Sequence, residues 1–122
     1  METKPVLVVD DDPDIREMLR FVLEAAGYSV YVAENGKEAL ELLLEIEALP
    51  GLILLDLMMP VMSGDEMLRA LKAVHSLAAI PVTIITASVT RTPREASGLL
   101  RKPVDLDTLL EVVTQRCGGG HP

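Results

Sequence analysis

The sequence predicts an α/β domain, a doubly wound parallel sheet of five strands with helices on both faces. Short aliphatic runs recur along the chain, "VLVV" at 6–9, "GLILLD" at 51–56 and "IPVTIITA" at 80–87, apolar on both faces as central parallel strands are. Segments with apolar residues at helical spacing lie between them, the alternation expected of a sheet layered by helices. The strands also tend to end in polar residues, and in such sheets ligands gather beyond the carboxyl ends of the strands.

The elements follow in order. Val6 to Val9 is the first strand, and Ile15, Met18, Leu19, Val22, Leu23 and Ala26 then mark a helix that stops at Gly27. Asp12-Pro13-Asp14 reads as its N-cap, a proline at the first helical position and an acid in the first turn. Ser29 to Ala33 is a shorter strand. Gly36 to Ala48 is a second helix, with Ala39, Leu40, Leu43 and Ile46 on one stripe and Pro50 beyond its end. After the third strand, the loop "LMMPVMSG" opens a helix that turns Met67, Leu68, Leu71 and Val74 inward. The fourth strand follows, then a polar connection and a short fifth strand, "LLRK". The last helix starts near Leu106 and sets Leu106, Leu109, Leu110, Val113 and Cys117 on its core side, which makes Cys117 a small core residue rather than a reactive thiol. The expected domain covers 4–117, and "GGGHP", 118–122 with Gly118, is expected to be a flexible tail.

Composition narrows the function classes. A chain of 122 residues holds one domain with a core that needs no disulfide. Only Phe21, Tyr28 and Tyr31 are aromatic, so that core is aliphatic. A net charge of −8 argues against nucleic-acid contact, which requires clustered Lys and Arg. One cysteine forms no internal disulfide, no segment is long and apolar enough for a membrane span, and Met1 to Pro5 leads into the first strand without a leader, so a cytoplasmic location is expected.

The strand ends carry the chemistry. The first strand ends in Asp10-Asp11, the third in Asp56, the fourth in Thr86-Ala87 and the fifth in Lys102-Pro103. Three carboxylates, a hydroxyl and a lysine thus converge at one end of the sheet. Carboxylate oxygens suit Mg²⁺, which takes few protein ligands and keeps its waters. Asp56 beside such an ion is a candidate nucleophile toward phosphorus, with Lys102 and Thr86 placed to stabilise phosphoryl oxygens. Taken singly, each residue has an ordinary explanation: strand-end acids, a strand-favouring threonine, a surface lysine. A calcium loop starting at Asp10 is excluded, because its sixth and twelfth positions would be Ile15 and Phe21 rather than Gly and Glu. His75 and His121 have no second ligand nearby in sequence and read as solvated, and Phe21 lies off the inward stripe of its helix.

Together, "VVDDDPDIREML", "AENGKEALELL", "LILLDLMMPVMSGDEML", "IPVTIITA" and "LLRKPVD" make the chain similar to the receiver domain of bacterial response regulators, over roughly 4–117. The resemblance implies a flavodoxin-like sheet in the order 2-1-3-4-5. It implies that Asp56 is the phospho-acceptor, that Asp11 ligates Mg²⁺ directly and Asp10 largely through water, and that the Met58 backbone carbonyl completes the protein ligands. Thr86 matches the family's switch hydroxyl and Lys102 its lysine, with a cis bond to Pro103. It also implies the partners: a sensor histidine kinase or histidine phosphotransfer protein as donor, a downstream protein as target, and a homodimer as an assembly to test.

Two departures stand out. The connection "SVTRTPREASG" spans eleven residues, barely the about 10–12 a parallel crossover needs, where the family has a full fourth helix. That helix is therefore expected to be shortened or missing, with one or two turns over Pro93 to Ser97 behind a Thr92–Glu95 capping box and Gly98 ending them. Leu99 stands where the family usually has Tyr or Phe. Both changes predict a less covered sheet at strands four and five, with apolar surface open to a partner or a second copy. Met58, apolar, cannot orient an attacking water, which predicts slow loss of a phosphoryl group. The sequence thus reads as a Mg²⁺-dependent phospho-accepting receiver that catalyses only its own modification. The rivals are an interaction module of the same fold that works without phosphorylation, and a small metal-dependent phosphohydrolase, which lacks a substrate-covering insertion.

Overall fold

A computed structural model describes residues 3–87 and 92–119. Five parallel strands, β1 (Val6–Val9), β2 (Val30–Ala33), β3 (Leu52–Asp56), β4 (Val82–Thr86) and β5 (Gly98–Arg101), lie in the order β2-β1-β3-β4-β5. Four helices accompany them: α1 (Pro13–Ala25), α2 (Gly36–Glu45), α3 (Gly64–Ala73) and α4 (Leu106–Cys117). Every residue of β1, β3 and β4 is buried, whereas β2 and β5, at the sheet edges, are largely half-buried. That is why the three central strands read as unbroken aliphatic runs.

Strand alternation sorts the core into two layers. Leu7, Val9, Ile53, Leu55, Val82 and Ile84 pack with Ala39 and Leu43 of α2 and Met67, Leu68 and Leu71 of α3. Val6, Val8, Leu52, Leu54 and Ile85 pack with Leu19 and Leu23 of α1 and Leu109, Val113 and Cys117 of α4. Asp12 caps α1 as expected, its carboxylate accepting from the Asp14 and Ile15 amides, and Ser63 and Glu66 form a reciprocal capping box on α3. Burial pushes the Cys117 thiol up to about 11, so it stays protonated inside the core. Tyr28 ties the end of α4 to the α1–β2 turn, its hydroxyl donating to the Gly118 carbonyl at 2.6 Å.

Several expectations need correction. Helix α2 ends at Glu45, not Ala48; Ile46 turns extended while its side chain stays against the core, and Glu47 and Ala48 are exposed, so further helix would bury nothing. Leu106 is 41% exposed, because α4 begins at the carboxyl edge of the sheet and its first turn projects past the strands. Gly98 opens β5 rather than ending a helix. Before it, one turn closes between the Ala96 amide and the Pro93 carbonyl, and the Ser97 amide already donates to Val82. Among the described residues no helix joins β4 to β5; residues 88–91 of that connection lie outside them, as do His121 and residues 120–122 of the expected tail.

The less covered sheet expected at strands four and five is seen at β5, which is half-buried to exposed, and not at β4, which is buried throughout. Ile84 is fully buried in the layer it shares with α2 and α3, and Ala96 of the connection and Leu99 of β5 pack against the same layer. Beside the connection opens a polar cleft of about 580 Å³ lined by Asp65, Arg69, Thr92, Pro93, Arg94 and Glu95.

Candidate functional site

The carboxyl ends of β1, β3, β4 and β5 bring the expected residues together. Parallel register aligns Val9 with Leu55, so Asp10 and Asp56 leave adjacent strands at the same level. Asp56 pairs with Ile85, which places Thr86 one step beyond it on β4, and the Lys102 amide donates to the Thr86 carbonyl at 3.0 Å. One carboxylate oxygen from each of Asp10, Asp11 and Asp56 lies within 4.8 Å of the others. Asp10, Asp56 and Thr86 are buried, whereas Asp11 is exposed at the mouth.

The acids are held by few donors. Lys102 Nζ donates to Asp10 Oδ2 at 3.0 Å and stands 3.7 Å from Asp56 Oδ2, so one ammonium is shared and leans toward Asp10. The Asp12 amide donates to Asp10 Oδ1 at 2.9 Å and the Met58 amide to Asp56 Oδ1 at 3.3 Å. Burial, then the Asp10 charge, push the Asp56 carboxyl above its usual range; Lys102 and the Met58 amide pull the other way, and Asp11 adds to the rise. Three carboxylates face one lysine. That surplus of negative charge, two of its three carboxylates buried, is what a hard divalent cation neutralises, so the donor set fits a metal.

The loop after β3 keeps this arrangement close. The Gly64 amide donates to the Leu57 carbonyl, and a Cβ on Gly64 would stand 2.7 Å from the Asp56 carbonyl oxygen and 2.8 Å from Leu57 Cα. Only glycine lets α3 start so near the acid-bearing strand. Val61 sits at φ 69°, a region that β-branched residues avoid, and the Met62 amide donates to the Pro60 carbonyl across it. The Lys102–Pro103 peptide is cis. Met58 turns its side chain out, 71% exposed.

The profile of the response regulator receiver domain matches residues 6–114. The chain belongs to this family. Receiver domains are signalling modules of two-component systems. This one is 44% identical over 118 residues to an uncharacterized 14.6 kDa protein from Leptolyngbya boryana, covering 92% of this chain and 88% of that protein. It is 42% identical over 87 residues to the phosphate regulon transcriptional regulatory protein PhoB of Pseudomonas aeruginosa, covering 71% of this chain but 37% of that protein. Among solved structures, the chemotaxis response regulator CheY4 of Vibrio cholerae superposes with a TM-score of 0.81 at 32% identity, over 92% of this receiver and 97% of that chain. No described helix is long and apolar enough to cross a membrane.

Two residues escaped the sequence reading. Gly64 had a visible signal, a glycine directly after the capping serine of a helix. Arg16 had none: an arginine in a first helical turn reads as solvated, yet its Nη1 donates to the Asp10 backbone carbonyl at 2.8 Å.

Proposed function

We propose that the domain, residues 4–117, accepts a phosphoryl group on Asp56 from a phosphohistidine of a sensor histidine kinase or phosphotransfer protein. The observation that carries this reading is the convergence of Asp10, Asp11 and Asp56 on one point beside a single lysine. An Asp56 carboxylate oxygen forms the new bond to phosphorus while the phosphorus–nitrogen bond of the donor breaks, its electron pair staying with the imidazole. Asp10, Asp11, Asp56 and the Met58 carbonyl would hold Mg²⁺, which supplies charge neutralisation for the phosphoryl oxygens. Lys102, already near both buried acids, follows the added negative charge, and Thr86 offers a hydroxyl at the end of the neighbouring strand. The signal then passes by altered binding to a downstream protein or a second copy of the chain.

Incubation with Mg²⁺ and acetyl phosphate, followed by intact mass measurement, tests this. The wild type gains one phosphoryl group; Asp56→Asn and a chelated wild type do not. Absence of any adduct would favour an interaction module that works without phosphorylation, and turnover of a phosphomonoester would favour a hydrolase. The exposed Met58 side chain predicts slow loss of the adduct, so Met58→Asn should shorten its lifetime; equal lifetimes remove that role.

A further inference from the structure

We infer that Arg16 is a positioning residue that aims the Asp11 carboxylate, an inference that rests on the metal-holding role proposed above. Asp11 makes no side-chain hydrogen bond or ion pair among the described residues, although it is the most exposed acid of the cluster. Its backbone is therefore what fixes where its Cα–Cβ bond points, and so which positions its carboxylate can reach. The peptide group entering Asp11 is that of Asp10, and Arg16 Nη1 holds its carbonyl oxygen at 2.8 Å. The turn is fixed on both sides of this point: the Asp10 amide donates to Ala33, the Asp12 amide to Asp10 Oδ1, and the Arg16 amide to the Asp12 carbonyl. Arg16 closes that circuit from the first turn of α1.

The choice of partner is informative. Asp10, Asp11, Asp12 and Asp14 all lie within six residues, yet Arg16 forms no ion pair among the described residues and uses its guanidinium on a neutral carbonyl. Two roles for such a cation make opposite predictions. A guanidinium acting only through its charge repels a metal, so its removal tightens Mg²⁺ binding. A guanidinium acting through the Asp10 peptide pre-orients a ligand, so its removal weakens Mg²⁺ binding, commonly by about tenfold or more for outer-shell partners.

Calorimetric titration of the full chain with Mg²⁺ separates them. Arg16→Met, which keeps most of the stem but no donor, should bind about tenfold more weakly than wild type, with Arg16→Lys between the two. Equal or tighter binding by Arg16→Met overturns the inference while leaving the site reading intact. A wild type that binds no Mg²⁺ overturns the site reading and the inference with it. Amide exchange in the metal-free proteins gives a readout independent of affinity, and a folding defect shows there as faster exchange across the whole chain. Faster exchange in Arg16→Met confined to the Asp12 amide, which donates to Asp10 Oδ1, supports positioning, and an unchanged rate there contradicts it.

Discussion

Asp10 and Asp56 each accept a backbone amide, share one lysine and stand at the carboxyl ends of central strands whose every residue is buried, whereas residues 92–97 of the β4–β5 connection make one turn beside a polar cleft. Both regions belong to one sheet, and the difference lies in what each must do. Central strands have neighbours on both sides, so their ends are placed by register and cannot drift. The connection borders an edge strand, and Ala96 of the connection, with Leu99 of β5, packs against the core layer that holds β4 with no helix among its described residues. The chemistry is thus anchored where the fold is most constrained, and the departure from the family lies where it is least constrained.

The largest effect is expected of Ile84→Ala. If the short connection covers β4 fully, the loss is that of a sealed core site, about 2–5 kcal/mol by denaturant unfolding, and Leu99→Ala on the half-buried edge costs clearly less. Similar small losses at both positions would mean the connection is not a cover. Next, Gly64→Ala forces a methyl against the backbone of Asp56 and Leu57 and should cost about 1–3 kcal/mol, with a slower gain of phosphoryl adduct because Asp56 itself is displaced. Val61→Asn should go the other way, stabilising by about 1 kcal/mol, since an exposed β-branched residue at φ 69° loses no burial on replacement by one that tolerates that conformation.

The smallest effect concerns pH. Asp56 has a raised folded value, so between the ordinary carboxylate range and that value the native state holds the extra proton and stability falls as pH rises. Glu66 and Asp105, held low by their hydrogen bonds at helix caps, contribute the opposite slope and lose stability as pH falls. Asp56→Asn removes only the first component. Without divalent cations its unfolding midpoint should exceed that of wild type at neutral pH and converge on it in acid. A difference independent of pH would assign the effect to packing instead.

Most of this was legible in the sequence for a physical reason. Strands buried on both faces show as aliphatic runs, and the residues that end those runs lie at one end of the sheet, so the placement of Asp10, Asp11, Asp56, Thr86 and Lys102 together could be read directly, their roles being those proposed above. Asp12 was legible because capping is local chemistry. Arg16 was not, because its partner is a backbone carbonyl that carries no side-chain signature. Leu106 was misjudged because helical periodicity does not say where the underlying sheet ends, and the burial of β4 was missed because the packing of Ala96 and Leu99 is tertiary.

Three carboxylates facing one lysine leave charge that a divalent cation neutralises. The thermal midpoint of the metal-free protein, measured with and without Mg²⁺, tests it directly. Saturating Mg²⁺ should raise the wild-type midpoint, corresponding to about 2.7 kcal/mol at a hundredfold excess over the dissociation constant, and should do much less for Asp11→Asn. A wild-type midpoint indifferent to Mg²⁺, or an equal rise in Asp11→Asn, would contradict it.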